Sequence, residues 1–273
     1  MVIEELSLLN ASHFVKAYQD IINAFKQWRI WVLLGWQDIQ LRYRRSILGP
    51  FWLTLSIAIT IYSMGFLYGH LFKMDLQVYF PYLATGILTW NLISTSLIEA
   101  TDSFVNSEAY IKQIKLPYSC FILRMMFRNT VIFLHNVLAF IPLIFIFHIP
   151  VNGYSLLILP ALLLICVNIV IYGNVLAIIG TRYRDIAPII NSLIQVAFFL
   201  TPIMWMPDLL PDRYHFAVHW NPFAHFLNLL RQPLLGQPFS AETLYMITII
   251  TIFGLISFSL LFAKARSRII YWL

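Results

Sequence analysis

Histidines 215, 219 and 225 carry the first chemistry that the residue types allow, because His215 and His219 stand one helical turn apart and could share a metal ion. They also lie among Trp220, Phe223 and Phe226, the pattern of an interfacial helix. Two histidines on one face fall short of the ligand count of a closed site, so no metal is expected. Glu99 and Asp102 offer a second chemistry, an ion or proton relay near the bilayer, but the pair sits where the second span should leave the membrane and reads first as solvated helix-end charges. Asp208 and Asp212 form the one outer acidic pair that a membrane enzyme would need. The chain has no H-E-x-x-H and no G-x-S-x-G, and no glycine is followed by lysine, which excludes a phosphate-cradling P-loop. No catalytic residues are expected, and if ATP drives the protein another chain binds it.

Two clusters can bind rather than react. Trp36–Trp52, WQDIQLRYRRSILGPFW, holds Arg42, Arg44 and Arg45 ahead of Gly49-Pro50 and the first long apolar run. Arginine is costly in hydrocarbon, so this cluster belongs among headgroups or in water, on the cytoplasmic side. Proline is suited to a first helical turn, so a span begins at Phe51. Asn106–Leu116, NSEAYIKQIKL, reads as a short helix with an apolar patch of Tyr110, Ile111 and Ile114 beside Lys112 and Lys115. A partner groove and the membrane surface both fit that pattern.

The elements that position these residues follow from composition. Sixty per cent of the 273 residues are hydrophobic and 11% are charged, against roughly 45–50% and about 25% in soluble domains. The expectation is an all-α polytopic membrane protein. In such a chain a formal charge of +6 reflects basic membrane flanks and not nucleic acid. Glu4 and Glu5 precede no apolar stretch of the signal-peptide kind. Cys120 and Cys166 read as packing residues with no disulfide.

Residues 1–24 are mixed and expected to be only partly ordered. Over about 25–45 the apolar positions Phe25, Trp28, Val32, Trp36, Ile39 and Tyr43 recur at steps of three and four, an amphipathic helix lying in the interface. Six spans are expected: Phe51–Phe72, Tyr79–Ile98, Phe121–Phe147, Tyr154–Gly180, Ile189–Trp205 and Thr243–Ala263. Arg124 and Arg128, four apart, share a helix face at the front of the third. Met206–Ala241 is too apolar for a solvated loop and reads as re-entrant or interfacial helices on the outer side. This layout puts both termini in the cytoplasm, with only Lys73, Arg213 and Arg231 of the 18 lysines and arginines outside.

On Trp36–Trp52, YIKQIKLP at Tyr110–Pro117, RYRDI at Arg182–Ile186, FFLTPIMW at Phe198–Trp205 and WNPFAHFLNLLR at Trp220–Arg231, the chain resembles the transmembrane subunits of ABC-2-type exporters. The resemblance is to bacterial polysaccharide exporters that move lipid-linked O-antigen, capsule or teichoic acid chains. It implies a bacterial cytoplasmic-membrane protein with a cytoplasmic N-terminal region (1–50) and a six-span domain (51–273). It also implies a homodimer bound to two copies of a separate ATP-binding subunit, which holds the ATP and magnesium. Residues 106–116, with Glu108, Tyr110, Ile111, Lys112, Ile114 and Lys115, would be the coupling helix. The loop 181–188, with Arg182, Arg184 and Asp185, would be a second contact, and 206–241 the outer gate. The lipid carrier would arrive beside the interface helix at Trp36, Arg42, Arg44 and Arg45, where the arginines either attract a pyrophosphate or simply flank the membrane. Tyr62, Phe66, Trp90, Phe198, Phe199 and Trp205 would line the channel, since sugar faces stack on aromatic rings. An ABC-2 exporter of a small drug-like molecule and an ion-coupled secondary transporter using Glu99 and Asp102 are the alternatives.

Overall fold

The computed structural model describes residues 15–44, Gly49 and residues 51–273, and every regular element among them is helical. Arg45 and Pro50 lie outside the described residues.

The chain enters through two helices, not one. Residues 15–26 form α1, which replaces the partial order expected up to residue 24, and Trp28–Tyr43 form α2. Gln27 separates them, and the Trp31 indole donates to the Ala24 carbonyl across the break at 3.1 Å. Helix α1 is tied down by side chains: Asp20 accepts from the backbone N–H groups of Ser119 (3.0 Å) and Tyr118 (3.3 Å), and Tyr18 meets Ser259 at 3.1 Å. The expected apolar stripe packs inward only in part, through Ile39. Gly35 and Ile39 are its buried residues, while Trp28 and Trp36 face outward. Gly35 explains the choice, because a Cβ there would stand 2.9 Å from the Phe127 ring and 3.0 Å from the Arg124 carbonyl.

The apolar runs fold as helices of spanning length. Helix α3 covers Phe51–Leu71 and α4 covers Leu76–Thr101. The tight connection between them uses a left-handed Lys73 and an Asp75 cap that accepts from Gln77 N–H at 2.9 Å. Helix α5 (Glu108–Gln113) is shorter than the expected 106–116 helix: a 3-10 turn at Val105–Ser107 precedes it, and Ile114 is already extended. Helix α6 (Ser119–Asn136) runs through a 3-10 turn at Val137–Ala139 into α7 (Ile141–Ile146), whose first turn holds Pro142. Proline supplies no N–H to the preceding ladder, which accounts for the tightened turn.

Helix α8 (Ile158–Arg182) is followed by α9 (Ile186–Leu200). The fifth span was expected to reach Trp205 with an interruption at Thr201-Pro202, and α9 stops at that break, at Leu200, because Thr201 precedes a proline and takes an extended conformation (φ −93°, ψ 139°). Short turns at Pro207–Leu209 and Asp212–Tyr214 lead to α10 (Phe216–His219) and α11 (Pro222–Leu234). Helix α12 is Ala241–Ala265 and α13 is Ile269–Trp272.

Among the described residues four segments are long and apolar enough to cross a membrane: Phe51–Leu71, Ser119–Ile146, Gly153–Arg182 and Ala241–Ala265. Helix α4, at 26 residues, has the length (about 39 Å at 1.5 Å per residue) with a more polar composition. Helix α9, at 15 residues, is about 22 Å long, short of the roughly 30 Å hydrocarbon core.

Helix α4 is the centre of the packing. It lies against α3, α6, α8, α9 and α11, and sixteen of its 26 residues are buried. Helix α9 buries only Ile194 and turns Leu193, Val196 and Phe199 outward.

Candidate functional site

Gly35 sets α2 against α6, and one turn later the same face presents Asp38 and then Arg42. Arg124 and Arg128 project from α6 toward them, and Glu99 from the last turn of α4. The result is one ion-paired cluster. Arg124 grips Asp38 bidentately, Nε to Oδ2 at 2.7 Å and Nη2 to Oδ1 at 2.5 Å. Arg128 donates to Glu99 Oε2 at 2.5 Å and approaches Asp38 Oδ2 at 3.4 Å. Arg42 reaches Glu99 Oε1 at 3.4 Å. Asn129 completes the shell, donating to Glu99 Oε2 (2.8 Å) and to the Ser96 hydroxyl (3.2 Å).

The cluster is largely withdrawn from solvent. The side chains of Asp38, Arg124, Arg128 and Glu99 are 15–28% exposed, and Arg42, at the rim, is 42% exposed. Bidentate arginine–carboxylate pairs in partial burial are among the stronger polar contacts available. Three guanidinium groups face two carboxylates, leaving a surplus of one positive charge. A cavity of about 240 Å³ opens on it, lined also by Ser103 and Asn106. Such a site can hold helices in register and attract an anion, and both its carboxylates are engaged by guanidinium groups.

Residues 108–113 touch this cluster through one ring. Tyr110 lies under the Arg124 guanidinium at 5.4 Å, so α5, α6 and α2 meet at one point. Ile111 packs partly into the core, Ile114 is 49% exposed, and Lys115 is exposed. Glu108 and Lys112 pair at 2.6 Å on the outer face of α5. In the 181–188 loop Arg184 and Asp185 are exposed, while Arg182 stacks on Tyr183 (5.0 Å) and on Trp272 of α13 (5.4 Å). Below α1, Asp20 is buried with Arg266 at 3.8 Å. Burial pushes its carboxyl above the ordinary aspartate value, against the hydrogen bonds from Ser119 and Tyr118 and the Arg266 charge.

The other sequence-derived residues disperse. Trp36 and Arg44 are exposed and outside the cluster. Glu99 is ion-paired within the cluster and so is not a freely solvated charge, while Asp102 is half-buried at the C-cap of α4. Asp208 and Asp212 stand exposed in separate turns. His215 meets the Leu210 carbonyl (3.1 Å), His219 meets Glu242 (2.6 Å) and His225 meets the His219 carbonyl (2.8 Å).

The aromatic set divides too. Tyr62 turns inward, its hydroxyl 3.4 Å from the Ala139 carbonyl and its ring near Phe80, while Phe66 faces outward beside His70. Trp90 is 7% exposed and packs edge-on with Phe198 and Phe223, whereas Phe199 is 72% exposed. Trp205 donates to the Phe199 carbonyl at 3.1 Å.

Asp38 and the pairing of Arg124 and Arg128 with it and with Glu99 escaped the sequence reading. The available signal was three i,i+4 polar pairs, Asp38/Arg42, Arg124/Arg128 and Glu99/Ser103, on otherwise apolar helices. Arg231, expected among the outer charges, is a buried one. It is 4% exposed, donates to the Pro202 carbonyl at 2.9 Å and lies 3.7 Å over the Tyr82 ring.

Comparison with known proteins adds the lineage. The sequence profile of a family described as ABC-2 type transporter matches residues 29–235. Two proteins of Klebsiella pneumoniae, each named O-antigen export system permease protein RfbA, are 25% and 24% identical over 240 residues, spanning 84% of this chain and 90% of their own. A protein of the same name from Myxococcus xanthus is 20% identical over 180 residues, 64% of this chain and 68% of its own.

Proposed function

The chain belongs to the ABC-2 type transporter family, and on that premise we propose that it is the membrane-spanning subunit of an ATP-driven exporter of a lipid-linked polysaccharide, O-antigen in the first instance. The observation that carries the substrate reading is the alignment with O-antigen export permeases along 84% of the chain. In this reading α4 and α9 are the second and fifth of six spans, with both termini in the cytoplasm of a bacterial inner membrane. A separate ATP-binding subunit, in two copies, supplies ATP and magnesium. Its main contact is residues 106–116, with Arg184 and Asp185 as a second one. The position of Tyr110 supports this, because a push on α5 meets Arg124 and the ion cluster directly. The outward apolar faces of α3 and α9 support pairing with a second copy around a channel. The surplus positive charge beside Arg42, continued by exposed Arg44, supports capture of the carrier pyrophosphate there. Segment 206–241 is the outer gate.

The test is deletion followed by purification. Cells lacking the chain should keep the lipid-linked glycan on the cytoplasmic side and lose it from the surface. The purified chain should bring an ATP-binding subunit with it. Export that survives deletion, or that stops on collapse of ion gradients with ATP intact, refutes the reading.

A further inference from the structure

We propose that the groove between α3, α4 and α6 is a binding subsite for an uncharged, hydroxyl-rich stretch of the transported molecule, a short run of sugar units held within one copy of the chain. The inference rests on the export reading and deepens it by naming where the glycan itself is gripped.

The groove has a volume of about 340 Å³, within the roughly 300–1,000 Å³ of small-molecule sites, and begins at Arg42 on the rim of the ion cluster. Ser56 and Thr60 of α3, Asn91 and Thr95 of α4, and Asn129 and Asn136 of α6 line it. A polar side chain on a lipid-spanning helix is costly unless its hydrogen bonds are made. Elsewhere in this fold they are made locally: Thr89, Thr130, Thr181 and Ser259 each donate to the carbonyl one turn back. In the groove that economy is incomplete: Thr60 donates to the Ser56 carbonyl and Asn129 to Glu99 and Ser96, but the other lining groups are unspent. Among the described residues the side chains of Ser56, Asn91 and Thr95 make no hydrogen bond. Asn136, only 4% exposed, leaves its Oδ1 buried and unpartnered.

The unspent groups select the ligand class. Carboxamides and hydroxyls offer donors and acceptors in the same few ångströms, which suits hydroxyl groups that do both. An acyl chain would leave every one of them unmatched, and an anion would meet acceptors as well as donors. Among the described residues no carboxylate lines the groove, and the one charge, Arg42, stands at the mouth. Trp90, also in the wall, offers an aromatic surface for the apolar face of a sugar ring.

The experiment is photocrosslinking in exporting cells, with p-benzoylphenylalanine in place of Thr95, or in place of Leu163 on the outward face of α8 (66% exposed) as comparison. After illumination the purified chain is stained for periodate-reactive glycan. The expected result is glycan attached through position 95 and not through 163. Asn136→Leu should lower the yield about tenfold, the worth of a hydrogen bond to a buried partner. Asn91→Ala, at an exposed position, should act in the same direction where Asn136→Leu disturbs folding. Glycan at neither position or equally at both, in cells that still export, overturns the subsite. A product of two copies of the chain through position 95 overturns it as well, by showing that the second copy fills the groove. Undiminished export from cells lacking the chain overturns the export reading itself and is separately recognisable.

Discussion

Replacing Glu99 by glutamine removes the one carboxylate, among the described residues, that faces both Arg42 and Arg128. Arg128 would keep Asp38 at 3.4 Å, but Asp38 is already held by the Arg124 fork at 2.5 and 2.7 Å. Leaving a fully buried charge unpaired costs about 3–5 kcal/mol. Here side-chain exposures of 16% for Arg128 and 28% for Glu99 admit some water, and glutamine still offers Asn129 an acceptor. An exposed pair is worth about 0.2–1 kcal/mol. Between these bounds the expected cost is about 2 kcal/mol. Glu108→Gln is the internal control: it breaks a pair of similar length, 2.6 Å against 2.5 Å, but with both side chains more than 40% exposed, so about 0.3–0.5 kcal/mol is expected. Denaturant unfolding in detergent micelles, followed by tryptophan fluorescence, measures both. Because Glu99 and Arg128 share one contact, Arg128→Gln on the Glu99→Gln background should add little. Equal losses in the Glu99 and Glu108 variants, or simple additivity of Glu99 with Arg128, would refute the claim that burial makes this cluster structural.

Four further outcomes are expected. Ile111→Glu removes an apolar anchor worth about 1.5–3 kcal/mol and should cut recovery of the ATP-binding subunit about tenfold or more while the chain still inserts; unchanged recovery would return α5 to the membrane surface. Gly180→Ala puts a Cβ 2.1 Å from the Thr101 carbonyl oxygen, a backbone atom that cannot swing away, so a loss of about 1–3 kcal/mol or more should appear in the same unfolding assay. Asp20 has a folded-state pKa raised above 3.8 by burial, so the folded state binds its proton more readily. The Asp20 contribution to stability should therefore fall as pH rises from about 3.8 through that raised value and then level off. Asp20→Asn should remove this fall, and a wild-type-to-variant difference independent of pH between 4 and 8 would contradict it. Single cysteines replacing Lys115, Arg184 or Ser267, all exposed, should resist an impermeant thiol reagent in intact cells; labelling of any one without permeabilisation breaks the proposed orientation.

The apolar runs were legible because hydrocarbon imposes a length that composition reveals directly. Phe51–Leu71, Ser119–Ile146, Gly153–Arg182 and Ala241–Ala265 lie within a few residues of the expected spans. The Thr201-Pro202 break was legible for the same reason that proline punctuates any helix. What was hidden depended on which face packs. Helix α2 has apolar residues on all sides, so no periodicity could choose Gly35 and Ile39 over Trp28 and Trp36; the choice is made by how closely two backbones approach. The ion cluster was hidden because its members come from three helices separated by 57 and 86 positions in the chain. Tyr62 and Phe66 share a helical spacing but not an environment, because Ala139 and Phe80 stand opposite one of them only.

Glu99 and Arg231 act on opposite ends of one helix, and this explains why α4 carries so many polar residues for a buried element. Near its start, the Tyr79 hydroxyl donates to the Met204 carbonyl at 2.7 Å, and the Tyr82 hydroxyl lies 2.9 Å from the Pro202 carbonyl and 3.2 Å from that of Trp205. Irregular backbone beside apolar helices is tolerated only where protein satisfies it, and Thr201–Met206 is such backbone. Arg231 shares the Pro202 carbonyl at 2.9 Å. Gly86 makes room for it, since a Cβ there would stand 2.5 Å from the Arg231 Nη2 and 3.1 Å from the Ile203 oxygen. At the other end Glu99 is held by Arg42 and Arg128, and the Thr101 carbonyl lies against Gly180 of α8. The helix is thus fastened at both ends and packed along its length, and close-packed interiors yield little to strain. In the proposed coupling, a displacement entering at Tyr110 and Arg124 would reach the Thr201–Met206 segment through α4. The groove that runs from Arg42 past Thr95 to Trp90 lies along this same helix, so a ligand seated there would touch an element that joins the ion cluster to the irregular Thr201–Met206 segment.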